Sequence, residues 1–231
     1  AEYDANGNTT AFNLPNGQRM SLTYDALNRI NSVTDITGNI LNFTYDINSN
    51  VSNYTNGAGA THTFEYDSLN RIKKVTDPLN NTYQLTYDKN SNIISVKDRN
   101  GFTSTYTYDS LDRIKTATDN NGNTVTSTYD AVGNVVSLED QNNNITNYTY
   151  DSLNRVKRTT YPDGRFIEYT YDNKWNMIAK RLTDGTMINF AYDSLNRVVS
   201  KTLPGGHIYN YTYDALGRLL TASTNSGTVT L

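Results

Sequence analysis

Side chains able to do acid–base, metal or nucleophile chemistry are few in this 231-residue chain, or too regular to mark a site. There are two histidines, His62 and His207, and no cysteine. Disulfides and thiolate metal sites are therefore excluded, and redox chemistry says nothing about compartment. The histidines lie far apart and share no metal or nucleophile spacing, so both read as ordinary strand or turn residues. Aspartates abound, but they recur in the same slots: each Tyr-Asp, and Asp35, Asp77, Asp98, Asp119 and Asp140. Glycoside hydrolysis needs one exceptional carboxylate pair, and none stands out. Neither the Gly-Gly-x-Gly-x-Asp nonapeptide nor the EF-hand spacing for calcium is present. Aspartates in turns usually accept from their own backbone. The sole tryptophan, Trp175, is the one remaining candidate. An exposed indole can stack on a sugar ring, and packing against the next repeat is the competing role. No catalytic residue, cofactor site or metal ligand is expected.

The elements around these residues explain the regularity. Tyr-Asp occurs at Tyr3, Tyr24, Tyr45, Tyr66, Tyr87, Tyr108, Tyr129, Tyr150, Tyr171, Tyr192 and Tyr213, always 21 residues apart. A fixed period of this length marks a tandem array whose units bury surface only against their neighbours. A single array over residues 1–231, eleven repeats truncated at both ends, is the expected organisation. The formal charge of −3 and pI near 5.3 argue against a nucleic-acid partner. No apolar run approaches the length of a membrane span, and no signal peptide opens the chain. Hydrophobic content is only 36%, yet 19 Tyr and many Thr, Val and Ile favour strands over disorder.

Within a repeat, the residues two before each Tyr are nearly all aromatic or Leu, as in Leu22, Phe43 and Tyr211, and those between are polar. This is the alternation of a strand with one aromatic and one Thr/Asn face. Four residues after the Tyr comes Gly, Asn, Ser or Asp in every repeat but the one with Trp175. That slot predicts a type I turn closed by a left-handed residue. A second strand opens at Ile30, Val51, Ile72 and their equivalents, with a further apolar residue three later, such as Val33 or Val75. A spacing of three implies a bulge or two partly covered faces. The second turn carries pairs such as Asn16-Gly17 and Asp163-Gly164, expected at the centre of type I′ turns. All four prolines precede this Gly slot by two residues. The fold expected is all-β: tandem hairpins forming one long curled antiparallel sheet, an open spiral or partial shell.

A second period overlies the first. Five residues after Tyr, Asn8, Arg29, Asn50, Arg71, Asn92, Arg113, Asn134, Arg155, Asn176 and Arg197 alternate strictly, and Arg218 breaks the series. Leu27, Leu69, Leu111, Leu153 and Leu195 accompany the Arg repeats. Either a pair was duplicated, or alternate hairpins meet different neighbours, with Arg pairing to an Asp of its own turn such as Asp25 or Asp67.

Segments such as Tyr150-Asp151-Ser152-Leu153-Asn154-Arg155 and Tyr211-Thr212-Tyr213-Asp214-Ala215-Leu216-Gly217-Arg218 closely resemble the YD repeats of RHS proteins. That family includes bacterial polymorphic toxins, wall-associated proteins, toxin-complex components and teneurins. The resemblance covers the whole chain. It implies a β-sheet wound into a hollow shell, enclosing a C-terminal effector in toxins and serving adhesion in teneurins. It further implies a secreted or cell-surface location, with an encapsulated toxin polypeptide as partner. Adhesion through glycan or protein is the alternative, and a glycan-active enzyme a distant third. Asp77-Pro78-Leu79-Asn80 faintly resembles the Asp-Pro signature of the family's self-cleavage region, but its frame makes it an ordinary turn. The chain looks excised from a longer array, and self-association through open sheet edges is expected.

Overall fold

The computed structural model describes residues 1–224 and 227–230. The chain divides into two compact units, Ala1–Gly122 and Asn123–Leu231. The first holds β1 (Glu2–Tyr3), β2 (Thr9–Asn13), β3 (Arg19–Tyr24), β4 (Ile30–Asp35), β5 (Gly38–Tyr45), β6 (Val51–Asn56), β7 (Thr61–Tyr66), β8 (Ile72–Thr76), β9 (Thr82–Tyr87), β10 (Ile93–Lys97), β11 (Thr103–Tyr108) and β12 (Ile114–Thr118). The second holds β13 (Thr124–Tyr129), β14 (Val135–Glu139), β15 (Ile145–Tyr150), β16 (Val156–Thr160), β17 (Phe166–Tyr171), β18 (Met177–Arg181), β19 (Met187–Tyr192), β20 (Val198–Thr202), β21 (Ile208–Tyr213), β22 (Leu219–Thr224) and β23 (Gly227–Thr230). Within each unit every strand pairs antiparallel with its sequence neighbours. The fold is all-β, built of tandem hairpins. The single helical turn among the described residues, Pro204–Gly206, is itself a hairpin corner.

The spacing of three in the second strand is a bulge. Tyr24 lies opposite Ile30 while Thr23 lies opposite Ser32, leaving Asn31 as the extra residue. The same shift recurs beside Tyr45, Tyr66, Tyr87, Tyr150 and Tyr171. The bulge brings Leu22, Tyr24, Ile30 and Val33 onto one face, since paired residues share a side of the pleat. Hydroxyl pairs fill the other face: Thr44 and Ser52 meet at 2.9 Å, Thr107 and Thr116 at 2.6 Å.

The first corner is as expected. Asn28 N–H donates to Asp25 C=O at 3.0 Å, and Asn28 sits at φ 59°. The corresponding residue is left-handed in every repeat, Trp175 included at φ 72°. The second corner differs from expectation. Gly17 N–H donates to Leu14 C=O at 2.9 Å, Leu14 N–H donates to Gln18 C=O, and the left-handed residue is Gly17 at φ 82°. Three residues therefore separate the paired Leu14 and Gln18, so Asn16-Gly17 is not the centre of a type I′ turn. It is a type I turn with a following left-handed bulge, as at the first corner. Corners without proline take the same form, with Asp98 N–H donating to Phe102 C=O and Gly101 N–H to Asp98 C=O, so Pro15 fits this turn without dictating it: its ring holds φ near −65°, which position i+1 of a type I turn accepts and a type I′ turn forbids. At Leu203-Pro204-Gly205-Gly206 the second central residue is Gly205 at φ 83°, ψ 1°, which makes a type II turn. Gly38 and Gly227 depart again. Each is paired within its strand, with Asp35 and Thr224 respectively, so the corner precedes it. For Gly227 that corner, Asn225-Ser226, lies outside the described residues.

Only Ala11, Asp77 and Thr159 are buried among the described residues. Each unit is a single layer with half-exposed faces. Cohesion must come from in-plane contacts between successive hairpins, since there is no packed core to supply it.

Candidate functional site

Within each unit, the Tyr of a Tyr-Asp reaches back to the previous repeat. Tyr45 Oη donates to Ile30 C=O at 2.6 Å, and Tyr66 to Val51, Tyr87 to Ile72 and Tyr108 to Ile93 follow suit. In the second unit Tyr150, Tyr171, Tyr192 and Tyr213 bind Val135, Val156, Met177 and Val198 at 2.7–3.0 Å. The acceptor is always the residue that opens the bulged strand. The ladder to the next hairpin ends at Ser32 opposite Asn42, short of Ile30, so the phenol supplies the donor the backbone does not. Burial raises the Tyr45, Tyr66 and Tyr150 phenols above their ordinary value, which extends the pH range over which they remain donors into alkali.

The Asp of each Tyr-Asp caps its own corner. Asp25 Oδ1 accepts from Leu27 N–H at 2.9 Å and Arg29 N–H at 3.0 Å, and Oδ2 accepts from Arg29 Nε at 2.7 Å. In Asn repeats Asp46 takes Asn48 and Asn50 N–H on Oδ1 and Asn50 Nδ2 on Oδ2. Its own corner thus occupies each of these carboxylates. The Arg29 guanidinium, then the Arg29 backbone N–H, hold Asp25 below the usual carboxylate range. Asp77 behaves alike: it binds Leu79 and Asn81 N–H, with Asn80 left-handed behind Pro78. It is an ordinary turn, as its frame implied. Corners that lack this Asp move the acceptor two residues on, as Asp163 does for Arg165 N–H and Asp184 for Thr186 N–H.

The Arg/Asn alternation has a structural basis. Asn50 Nδ2 reaches the left-handed residue of the next corner, Asn70 Oδ1, at 2.8 Å; Asn92 reaches Asp112 at 2.6 Å, and Asn176 reaches Asn196 at 3.0 Å. Arg29 and Arg71 instead donate to Ser49 and Ser91 Oγ, each at 2.9 Å. Arg155 and Arg197 take the next Asp carbonyl, of Asp172 and Asp214. Each of these guanidiniums also lies over the next Tyr ring, from 4.2 Å for Arg29 over Tyr45 to 4.7 Å for Arg197 over Tyr213. An amide needs an acceptor on the following left-handed side chain; an arginine takes that side chain where it is Ser49 or Ser91, or the Asp carbonyl of the same corner, and also covers the next Tyr ring. The two residue types therefore alternate in step. The ion pairs Arg29–Asp25 and Arg71–Asp67 form as the spacing implied. The leucines of the Arg repeats, such as Leu27, Leu69 and Leu195, stand exposed at the corner tips.

Trp175 is 62% exposed, and the Arg155 guanidinium of the preceding repeat sits 5.3 Å from its ring centre. Its flanking residues Lys174 and Asn176 line an open cleft of about 330 Å³ that also takes in Ile178 and Phe190. His62 stacks on Tyr54 at 4.6 Å, and His207 follows an exposed corner. No group of three His, Asp or Glu able to hold a metal ion occurs among the described residues, and none of their helices is long and apolar enough to cross a membrane. Sequence reasoning missed two lysines, Lys180 and Lys201. They occupy the slot filled by Val33 and Val75 in earlier repeats and so lie on the aromatic face. Listing that slot through the last repeats would have found them.

Known proteins fit this geometry. No curated protein matches the sequence. Among solved structures, TcdB2-TccC3 without its hypervariable C-terminal region superposes with a TM-score of 0.66 at 13% identity, covering 93% of this chain and 14% of that one. TcdB2-TccC3 itself gives 0.66 at 14% identity, covering 93% and 15%. The likeness is one of fold, and the present chain spans about a seventh of those proteins. The sequence matches the Teneurin YD-shell family over residues 3–110 and 99–230, and the chain belongs to that family of structural shell modules.

Proposed function

We propose that this chain is a non-enzymatic segment of a β-shell that encapsulates the C-terminal effector of a secreted or surface RHS-type toxin. The observation that carries this reading is the Tyr hydroxyl bond to the preceding repeat, present at nine described junctions. At those junctions it joins a hairpin to the one before by the same contact, so one repeated rule can build a long wall. With 21-residue phase unbroken, the eleven repeats read as one array. The neighbour TcdB2-TccC3 is named with a hypervariable C-terminal region, which is compatible with this reading. The action is steric: a wall that keeps a polypeptide from solvent and partners until release. Limited proteolysis of the longest natural protein containing this segment tests it. Protection of a downstream domain that is digested when expressed alone is the expected result; equal digestion in both settings would refute encapsulation.

Adhesion is the second reading, favoured by one observation: Trp175 is exposed beside a cleft of monosaccharide scale. A saturable signal on a glycan array, abolished by Trp175→Ala, would support adhesion through glycan; a silent array removes that form of it.

A further inference from the structure

Two charges break the pattern of the aromatic face. Its slots hold Tyr, Phe, Leu, Ile, Val, Met, Ala, small polar residues and one histidine, His62, from repeat to repeat, and the lysines in them are Lys180 and Lys201, in consecutive repeats. Lys180 lies opposite Tyr169 on one side and Ile188 on the other. Lys201 lies opposite Phe190 and Tyr209. One strand, β19, separates them, which places the two side chains on the order of 10 Å apart. Each ammonium rests against a ring: Lys180 Nζ is 5.6 Å from the Tyr169 centre and Lys201 Nζ is 6.0 Å from Phe190. No carboxylate comes within ion-pair distance of either among the described residues. On the opposite face the same strands do pair their charges, with Glu168 lying 3.7 Å from Arg158 and 3.6 Å from Arg181.

A half-buried cation that replaces a valine gives up apolar burial and gains only a weak cation–π contact. A local rule broken without internal compensation is the mark of a functional position. The missing partner is anionic, carries at least two charges and has apolar surface between them, because Ile188 and Phe190 lie between the lysines. We propose that Lys180, Lys201 and the rings of Tyr169, Phe190 and Tyr209 form a docking site for an acidic, aromatic-containing polypeptide segment. An extended strand whose carboxylates lie two to four residues apart spans the two ammoniums, at about 3.3 Å per residue. The site does not depend on the encapsulation reading, since the face binds such a segment whether or not it is enclosed.

Fluorescence anisotropy with a labelled peptide of alternating Glu and Phe tests it on the whole chain. Saturable binding near micromolar at low salt is expected, weakened about fivefold by Lys180→Gln or Lys201→Gln and further by the pair. Lys115→Gln, in the other unit, should leave affinity unchanged, and Lys180→Arg should retain it. Circular dichroism of each variant separates loss of binding from loss of fold. The proposal is overturned by a Lys/Phe peptide binding as well, by equal binding to the double variant, or by no saturation up to about 1 mM. A single-stranded oligonucleotide binding more tightly than the peptide would also overturn it.

Discussion

Tyr45 Oη donates to the carbonyl of Ile30, fifteen residues earlier and one repeat back, at 2.6 Å. The bond lies where a bulge ends the backbone ladder, so the phenol closes a gap that Phe would leave open. In a single-layer sheet such contacts take the place of a core.

Tyr66→Phe removes the same bond to Val51 while keeping the ring. We expect a loss of about 0.5–1.5 kcal/mol, from one hydrogen bond to a partly buried carbonyl. Urea titration followed by circular dichroism measures it. An unchanged midpoint would show that water satisfies the Val51 carbonyl equally well.

Trp175 holds φ 72° in a slot elsewhere given to Gly, Asn, Ser and Asp. A left-handed conformation costs an L-residue roughly 1–2 kcal/mol, and the stack of Arg155 on the exposed indole returns about 0.5–1 kcal/mol. Trp175→Asn should therefore raise stability by about 0.5 kcal/mol, because Asn tolerates this region. A midpoint that drops instead would make the Arg155–Trp175 stack the stronger of the two terms.

Asn92 Nδ2 to Asp112 Oδ1 is one rung of the Asn type. A double-mutant cycle with Asn92→Ala and Asp112→Gly, which keeps the left-handed corner, should return a coupling of about 0.5–1 kcal/mol. Additive effects would mean that the 42-residue alternation is a relic of duplication without energetic content.

Stability should depend on pH at both extremes. Hydrogen bonds from Arg29, Arg71 and Arg113 lower Asp25, Asp67 and Asp109 below the ordinary carboxylate value of 3.8. Their contribution is present above that value and is lost as pH falls through the lower folded one. Burial raises Tyr45 and Tyr66 above 10.0, so their contribution persists below pH 10 and disappears as pH climbs through the folded value. Urea midpoints should be flat near neutrality and fall in strong acid and strong alkali. A midpoint that holds constant down to about pH 2 would remove the corner aspartates from the account.

Much of this fold is legible in the residues themselves. The 21-residue phase, the aromatic face and the left-handed slot at Asn28, Ser49 and Asn70 follow from preferences that each residue carries locally. The type of the second corner does not follow from Asn16-Gly17 alone, because a left-handed Gly serves a three-residue loop as well as a type I′ pair, and only the pairing of Leu14 with Gln18 decides between them. Trp175 was visible as an exception, but Arg155 beside it was not.

What the amino-acid order determined was the unit: two strands, two corners and the face each side chain takes. What the tertiary structure decided was the company each unit keeps. Bulge placement sets the register, and register alone brings Tyr45 to Ile30, Asn92 to Asp112, and Lys180 onto the ring of Tyr169. Those partners lie a hairpin apart in sequence, so no local preference could name them; they meet because the pleat alternates sides and one extra residue per hairpin restores the phase.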